Sequence, residues 1–224
     1  MPTARCSECA LRLPDGQDLC GRCLRDPPPL DACHAAVDYA YPWSALVARF
    51  KFGDQPGWAA PLARLMLGSG PLAQALAEAD IVVPMPLAPR RLAERGFNQA
   101  LALARVLAPD RVDARLLLRI RETPAQASLD HEGRARNVDG AFATDPRHAI
   151  RACGRHIALV DDVMTTGATL HAAAAALREA GATRVTALVL ARTPGPGHPG
   201  AECITLAALP CPAAPATEPP APPR

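Results

Sequence analysis

The residues that most restrict the fold are Ile157-Ala158-Leu159-Val160-Asp161-Asp162-Val163-Met164-Thr165-Thr166-Gly167-Ala168-Thr169. The consecutive apolar residues from Ile157 suit a strand buried on both faces of a parallel sheet, because a half-exposed strand would alternate with polar residues. Asp161 and Asp162 close that predicted strand. Thr165, Thr166, Gly167, Ala168 and Thr169 then supply hydroxyls, small side chains and an uncrowded backbone. The run from Leu170 to Ala180 is strongly helical, and Gly181 holds the position that stops a helix. Strand, turn and helix N-terminus together form an anion site, since unpaired N–H groups and the helix dipole both favour negative charge. The two acids would repel that anion, so their expected partners are hydroxyl groups or a divalent cation. A ribose 5-phosphate, with a phosphate and a nearby vicinal diol, answers both halves.

The same stretch resembles the phosphoribosyl pyrophosphate loop of the type I phosphoribosyltransferases: several apolar residues, two acids, then a Thr/Ser-rich turn with a glycine. The resemblance assigns Asp161 and Asp162 to the ribose hydroxyls, and Thr165, Thr166, Gly167, Ala168 and Thr169 to the 5-phosphate. Two other readings compete. One is an ordinary turn after a strand that two acids merely cap. The other is the aspartate pair of a receiver domain, which fails on position because receiver acids close the first strand and this pair comes late in the chain.

Cys6, Cys9, Cys20 and Cys23 form a Cys-x2-Cys-x10-Cys-x2-Cys pattern, while Cys33, Cys153, Cys203 and Cys211 are scattered. Four thiolates on two tight knuckles suit a tetrahedral ion, so a structural zinc is expected, with reduced thiols or an iron site as alternatives. Four sulfur ligands leave no open position for catalysis at such an ion. No signal-peptide pattern or long uncharged apolar run is present, which predicts a cytoplasmic protein without membrane insertion. A net charge of +2 argues for no global attraction to nucleic acid. Lys51 is the only lysine among 24 basic residues. An ammonium surviving such an arginine bias is either a surface lysine at a helix C-terminus or a phosphate contact.

Taken in order, residues 1–29 read as a zinc-ribbon module with a proline-rich linker, 30–208 as the main α/β domain, and 209–224 as a disordered Ala/Pro tail. Within the main domain, Ala35 to Tyr41 is predicted as a strand, and Leu46 to Gly53 as a short helix ending in a turn. Trp58 to Leu67 and Leu72 to Ala79 follow as amphipathic helices. Ile81 to Val83 is a buried strand running into Pro84-Met85-Pro86-Leu87, a turn whose X-Pro bonds allow a cis or strained backbone. By resemblance this is the loop that binds pyrophosphate, which brings in Met85. Arg90 and Arg91, with Arg95 beyond them, could clamp phosphates or line a solvated helix face. Asn98 is expected to cap a helix from Gln99 to Ala108, and Val112 to Leu118 to contain a second strand. The charged stretch between Arg119 and Phe142 reads as a lid, in which His131 is a candidate general base or leaving-group acid, or else simply a solvated histidine. Arg184 to Ala191 is another buried strand, and Cys203 to Ala207 an edge strand.

Lys51-Phe52-Gly53-Asp54, Pro84-Met85-Pro86-Leu87, Arg95-Gly96-Phe97-Asn98-Gln99-Ala100, Thr123-Pro124-Ala125-Gln126 and Arg136-Asn137-Val138-Asp139-Gly140-Ala141-Phe142, together with the Asp161 motif and the four cysteines, resemble the ComF family. Its members join an N-terminal zinc module to a phosphoribosyltransferase domain and are linked in some bacteria to natural competence and incoming single-stranded DNA. The resemblance implies a type I phosphoribosyltransferase fold, an open parallel sheet with helices on both faces plus the small zinc-ribbon module. It implies phosphoribosyl pyrophosphate, or a related nucleotide, as ligand and Mg²⁺ brought in with it. The expected activity is transfer of the phosphoribosyl group to a nitrogen acceptor that the motifs do not specify. Asp161 and Asp162 would orient the ribose, and Arg90, Arg91 and Lys51 would stabilise the leaving pyrophosphate. The rival reading is a non-catalytic sensor of a phosphoribosyl ligand that binds single-stranded DNA or proteins of the uptake machinery. The oligomeric state stays open.

Overall fold

Neighbouring residues of the run Ile157 to Val160 go to two different cores, which is why it carries no polar interruption. Ile157 and Leu159 join one buried cluster, and Ala158 and Val160 the other. The computed structural model describes residues 4–53, 55–121 and 140–195. Its sheet contains β1 (Ala32–Asp38), β2 (Ile81–Pro84), β5 (His156–Met164) and β6 (Arg184–Arg192), all parallel, in the order β1-β6-β5-β2. β3 (Leu117–Arg119) and β4 (Phe142–Thr144) pair separately and antiparallel. One face of the sheet is covered by α2 (Trp43–Phe52), α3 (Ala59–Leu67), α4 (Gly70–Glu78) and α6 (Gln99–Leu107), which supply Phe50, Met66, Leu72 and Leu103 to a common cluster with Val82 and Leu188. The other face is covered by α7 (Ala168–Glu179), β3, β4 and the cysteine module.

The helices begin and end where local chemistry dictates. Asn98 caps α6 by accepting the N–H of Leu101 at 3.1 Å. A short helix, α5 (Pro89–Arg95), starts with proline at its first position, where the missing N–H costs nothing, and ends at Gly96 in the left-handed conformation. The first cysteine pair lies on a turn closed by the antiparallel bridge between Arg5 and Arg12. The second opens α1 (Gly21–Arg25), with the sulfur of Cys20 accepting from the Cys23 N–H at its N-terminus.

Several expectations need correction. The acid pair does not follow the strand but lies inside it, because β6 continues to offer ladder partners as far as Met164, which stands opposite Arg192. The turn after β2 has an ordinary backbone: among the described residues the one cis peptide is Tyr41-Pro42, and the one non-glycine residue with positive φ is Ala10. The segment from Val112 adds only a single bridge, Val112 to Val82, to the main sheet, and its strand residues from Leu117 pair with β4 instead. β1 starts and ends three residues earlier than its apolar pattern suggests, since Ala32 and Cys33 find partners on β6. The predicted lid, with His131, and the expected edge strand and tail lie outside the described residues, apart from the lid's two ends. No helix among the described residues is long and apolar enough to cross a membrane.

Candidate functional site

The site forms at the carboxyl ends of β5 and β6, where parallel strands leave a crevice between helix termini. Alternation carries Asp162 to the face that α2 covers, and Lys51 in the last turn of α2 meets it there. Lys51 Nζ lies 3.1 Å from Asp162 Oδ1, with the two side chains only 11% and 10% exposed. The N–H of Asp162 donates to Asp161 Oδ1 at 2.9 Å, which fixes the first carboxylate against its neighbour. Burial, then the Asp162 charge, pushes Asp161 up to about 7, with Lys51 and Arg95 opposing. The two adjacent acids thus differ in surroundings: Asp162 faces a lysine, and Asp161 is pushed up by burial. Burial also raises Tyr39, with the Asp162 charge adding to it.

Beyond the acids the chain turns through Thr165 and Thr166 into α7. Gly167 occupies the position before the helix with φ +87°, and a Cβ there would stand 2.5 Å from Met164 Cε and 2.8 Å from His171 Nε2. A side chain here would have to adopt a left-handed backbone and displace the ends of both neighbouring side chains, which glycine avoids. Thr166 Oγ1 accepts the N–H of Ala168 at 3.4 Å. The turn's carbonyls are held from behind. Arg22 Nη1 donates to the Thr166 carbonyl at 3.1 Å, and Arg192 donates to the carbonyls of Met164, Thr165, Thr193 and Cys9.

The residues singled out from the sequence are not all gathered here. Asp161, Asp162 and Lys51 are brought together, Thr165, Thr166 and Gly167 form the adjoining turn, and Ala168 and Thr169 open α7. Met85 is buried on the neighbouring strand end, its N–H donating to the Val160 carbonyl and its own carbonyl accepting from Asn98 Nδ2 at 3.0 Å. Arg90 is 81% exposed and paired with Glu94 along its own helix. Arg91 is half-buried and close enough to Arg95 to depress it. Arg95 is the arginine that feels the acid pair. Burial lowers its pKa while Asp162 and Asp161 raise it, its guanidinium lies 5.2 Å from the Phe52 ring centroid, and it donates to Gln99 Oε1. Its signal in the sequence was its place one residue before Gly96, in the last turn of α5. Arg192 and Arg22 carried fainter signals: a charge ending a buried strand, and a charge between two cysteines.

Cys6, Cys9, Cys20 and Cys23 are all buried, and their sulfurs lie within 4.8 Å of one another. Cys9 and Cys20 are 3.7 Å apart. A tetrahedral zinc with Zn–S distances of about 2.3 Å sets adjacent sulfurs about 3.8 Å apart, so the donor set and spacing fit a four-thiolate ion. The N–H of Cys20 also donates to Cys6 Sγ at 3.4 Å, a backbone bond of the kind that supports a thiolate. Cys33, buried beside the cluster, donates to Met164 Sδ at 3.5 Å.

Comparison with known proteins agrees with this geometry. Residues 94–204 match the phosphoribosyl transferase domain. The DNA utilization protein YhgH of Salmonella typhimurium is 37% identical over 194 residues, covering 84% of each chain. Competence protein F of Haemophilus influenzae is 31% identical over 195 residues, again 84% of each. The chain belongs to the ComF family. Competence protein ComFC of Bacillus subtilis is 39% identical over 114 residues, or 50% of this chain and 45% of that protein. The parallel sheet with its helices is accordingly a phosphoribosyltransferase-type domain carrying a four-cysteine cluster able to hold a metal.

Proposed function

We propose that the chain binds phosphoribosyl pyrophosphate and transfers its phosphoribosyl group to a nitrogen acceptor. The observation that carries this reading is the unequal acid pair, one carboxylate held by Lys51 and one pushed up to about 7, beside a turn in which Gly167 takes a positive φ. Asp162 accepts a hydrogen bond from a ribose hydroxyl, and Asp161 accepts one once ionised. The turn and the first N–H groups of α7 hold the 5-phosphate. As the bond from the anomeric carbon to the pyrophosphate oxygen breaks, positive charge grows at that carbon, and two nearby carboxylates favour it. The acceptor nitrogen forms the new bond and gives up its proton, while the oxygen leaves with its electron pair on pyrophosphate.

Asp162 is already engaged by Lys51, so Mg²⁺ fits as a cation carried by the ligand's phosphates rather than by a protein cage. When bound it offsets the charge of the leaving group. Arg95, on which both acids act, is the guanidinium best supported as a further contact with that leaving group. Zinc on the four cysteines has a structural role in this reading.

A second reading, a sensor of a phosphoribosyl ligand that acts on single-stranded DNA or uptake proteins, draws support from the packing of the cysteine module onto the turn and from the relatives' names. Calorimetric titration with phosphoribosyl pyrophosphate, followed by a pyrophosphate-release assay over a panel of bases, tests both. Binding that weakens at least about tenfold in Asp162→Asn is expected. Absence of binding, or equal binding by the variant, overturns the site. Binding without turnover on any base leaves the sensor.

A further inference from the structure

Three successive carbonyls of the turn, those of Met164, Thr165 and Thr166, all accept hydrogen bonds from the side of the cysteine module. Arg192 is 7% exposed and ends β6 directly opposite Met164 in the sheet. Its Nη1 donates to the carbonyls of Met164 at 3.2 Å, of Thr165, and of Thr193 at 2.7 Å, while its Nε donates to the carbonyl of Cys9 at 2.8 Å. Arg22, between Cys20 and Cys23, reaches the next carbonyl, that of Thr166, at 3.1 Å. Each cysteine knuckle therefore sends one strut to the turn. The first acts from Cys9 through Arg192, and the second directly through Arg22.

The consequence follows from peptide geometry. In a trans peptide the C=O and the N–H of the next residue point in opposite directions. Pinning the carbonyls of residues 164, 165 and 166 toward Arg192 and Arg22 turns the N–H groups of Thr165, Thr166 and Gly167 away from the two guanidinium groups. Successive N–H groups aimed to one side form an anion-binding nest. We propose that Arg192 and Arg22 are positioning residues that build this nest, and that metal occupancy of the four cysteines sets its affinity for phosphate.

The metal enters because the struts are only as rigid as their anchors. Arg192 is a buried cation whose described hydrogen bonds all go to neutral carbonyls, and the Cys9 carbonyl is fixed by the fold of its knuckle. Arg22 is fixed likewise, on a helix of one turn opened by Cys20. Thiolate clusters couple metal binding to local folding, so loss of the ion loosens both knuckles at once. The sheet side of the turn remains in place, since the Thr193 N–H still donates to the Met164 carbonyl at 3.0 Å. The expected change is a dispersed nest on an intact strand.

The identity of the ligand rests on the proposed phosphoribosyl site, but the linkage can be read without it. Hydrogen exchange on the full chain, before and after chelation, is expected to quicken at residues 164–170 while β2 keeps its protection. Affinity for phosphoribosyl pyrophosphate is expected to fall about tenfold on chelation, within the usual range of coupling between sites. In metal-loaded protein, Arg22→Ala is expected to lower that affinity severalfold without shifting the melting temperature, and Arg22→Lys to restore part of it. Unchanged exchange at 164–170 together with equal affinity in the two metal states would overturn the linkage and leave the phosphoribosyl site standing. Metal-dependent exchange without any ligand binding would keep the linkage and remove that site. If chelation unfolds the whole chain, the Arg22→Ala comparison decides, and an unaltered affinity there refutes the proposal.

Discussion

Asp161 and Asp162 are neighbours in sequence with different partners, Asp162 facing Lys51 and Asp161 held by the Asp162 N–H, and each makes its own prediction. The folded pKa of Asp161 is raised from 3.8 to about 7, first by burial. The folded state therefore holds this proton across that window while the unfolded chain has released it, so stability falls as pH rises from about 4 to about 7. In Asp161→Asn that slope is expected to flatten, and the variant to be more stable than the parent at pH 8 by roughly 2 kcal/mol in urea titrations. If Asp161 accepts a ribose hydroxyl when ionised, ligand binding by the parent strengthens from pH 6 to pH 8, and calorimetry on Asp161→Asn gives a flat profile. Lys51→Met removes the cation that faces Asp162 and leaves a buried carboxylate uncompensated. A loss of about 3 kcal/mol is expected, most of it recovered in the double variant Lys51→Met/Asp162→Asn, where the carboxylate's charge is removed as well. Equal stability of the single and double variants would show that the pair is not coupled.

At the level of elements, two junctions decide how the strand ends are presented. Asn98 both caps α6 and donates to the Met85 carbonyl, so one side chain ties the turn after β2 to the helix that follows. Asn98→Ala is expected to cost about 1–2 kcal/mol. Asn98→Asp keeps the cap but loses the amide donor, and thermal melts of the two variants separate the contributions. The second junction is Gly167, between β5 and α7. Alanine there meets Met164 and His171 at distances no carbon tolerates and must also adopt positive φ. A destabilisation of about 1–3 kcal/mol is expected from the left-handed backbone, with a loss of phosphate affinity if the turn relaxes to relieve it. Calorimetry that showed unaltered ligand binding in Gly167→Ala would separate the turn from the phosphate site.

For the whole molecule, the cysteine module shares its core with the sheet. Cys6, Cys9, Cys20 and Cys23 belong to the same buried cluster as Leu159, Leu177 and Val189, and Arg5 and Arg12 both pair with Asp38 at the end of β1. Chelation is therefore expected to lower a single calorimetric unfolding transition; two separate transitions would show an independent module. The pieces legible in the sequence were those that local chemistry writes down. They were the apolar runs of β5 and β6, the Asn98 cap, the glycine turn before α7, and the paired cysteines, whose spacing fixes two knuckles whatever the rest of the chain does. The exact end of β5 was not legible, because the ladder that carries it past the acids is supplied by β6. Nor was the choice of Arg95 over Arg90 as the arginine facing the acids, since both lie on one short helix and only packing decides which side is covered. The Lys51–Asp162 pair and the Arg192 bridge to Cys9 depend on tertiary structure alone. A buried charge takes whatever counter-charge or carbonyl the fold brings within reach, and these partners are far apart along the chain. The sequence by itself determined a glycine turn between a buried strand and a helix, and a four-cysteine cluster spaced to hold a metal. The folded structure decided that they stand back to back, joined through two arginines.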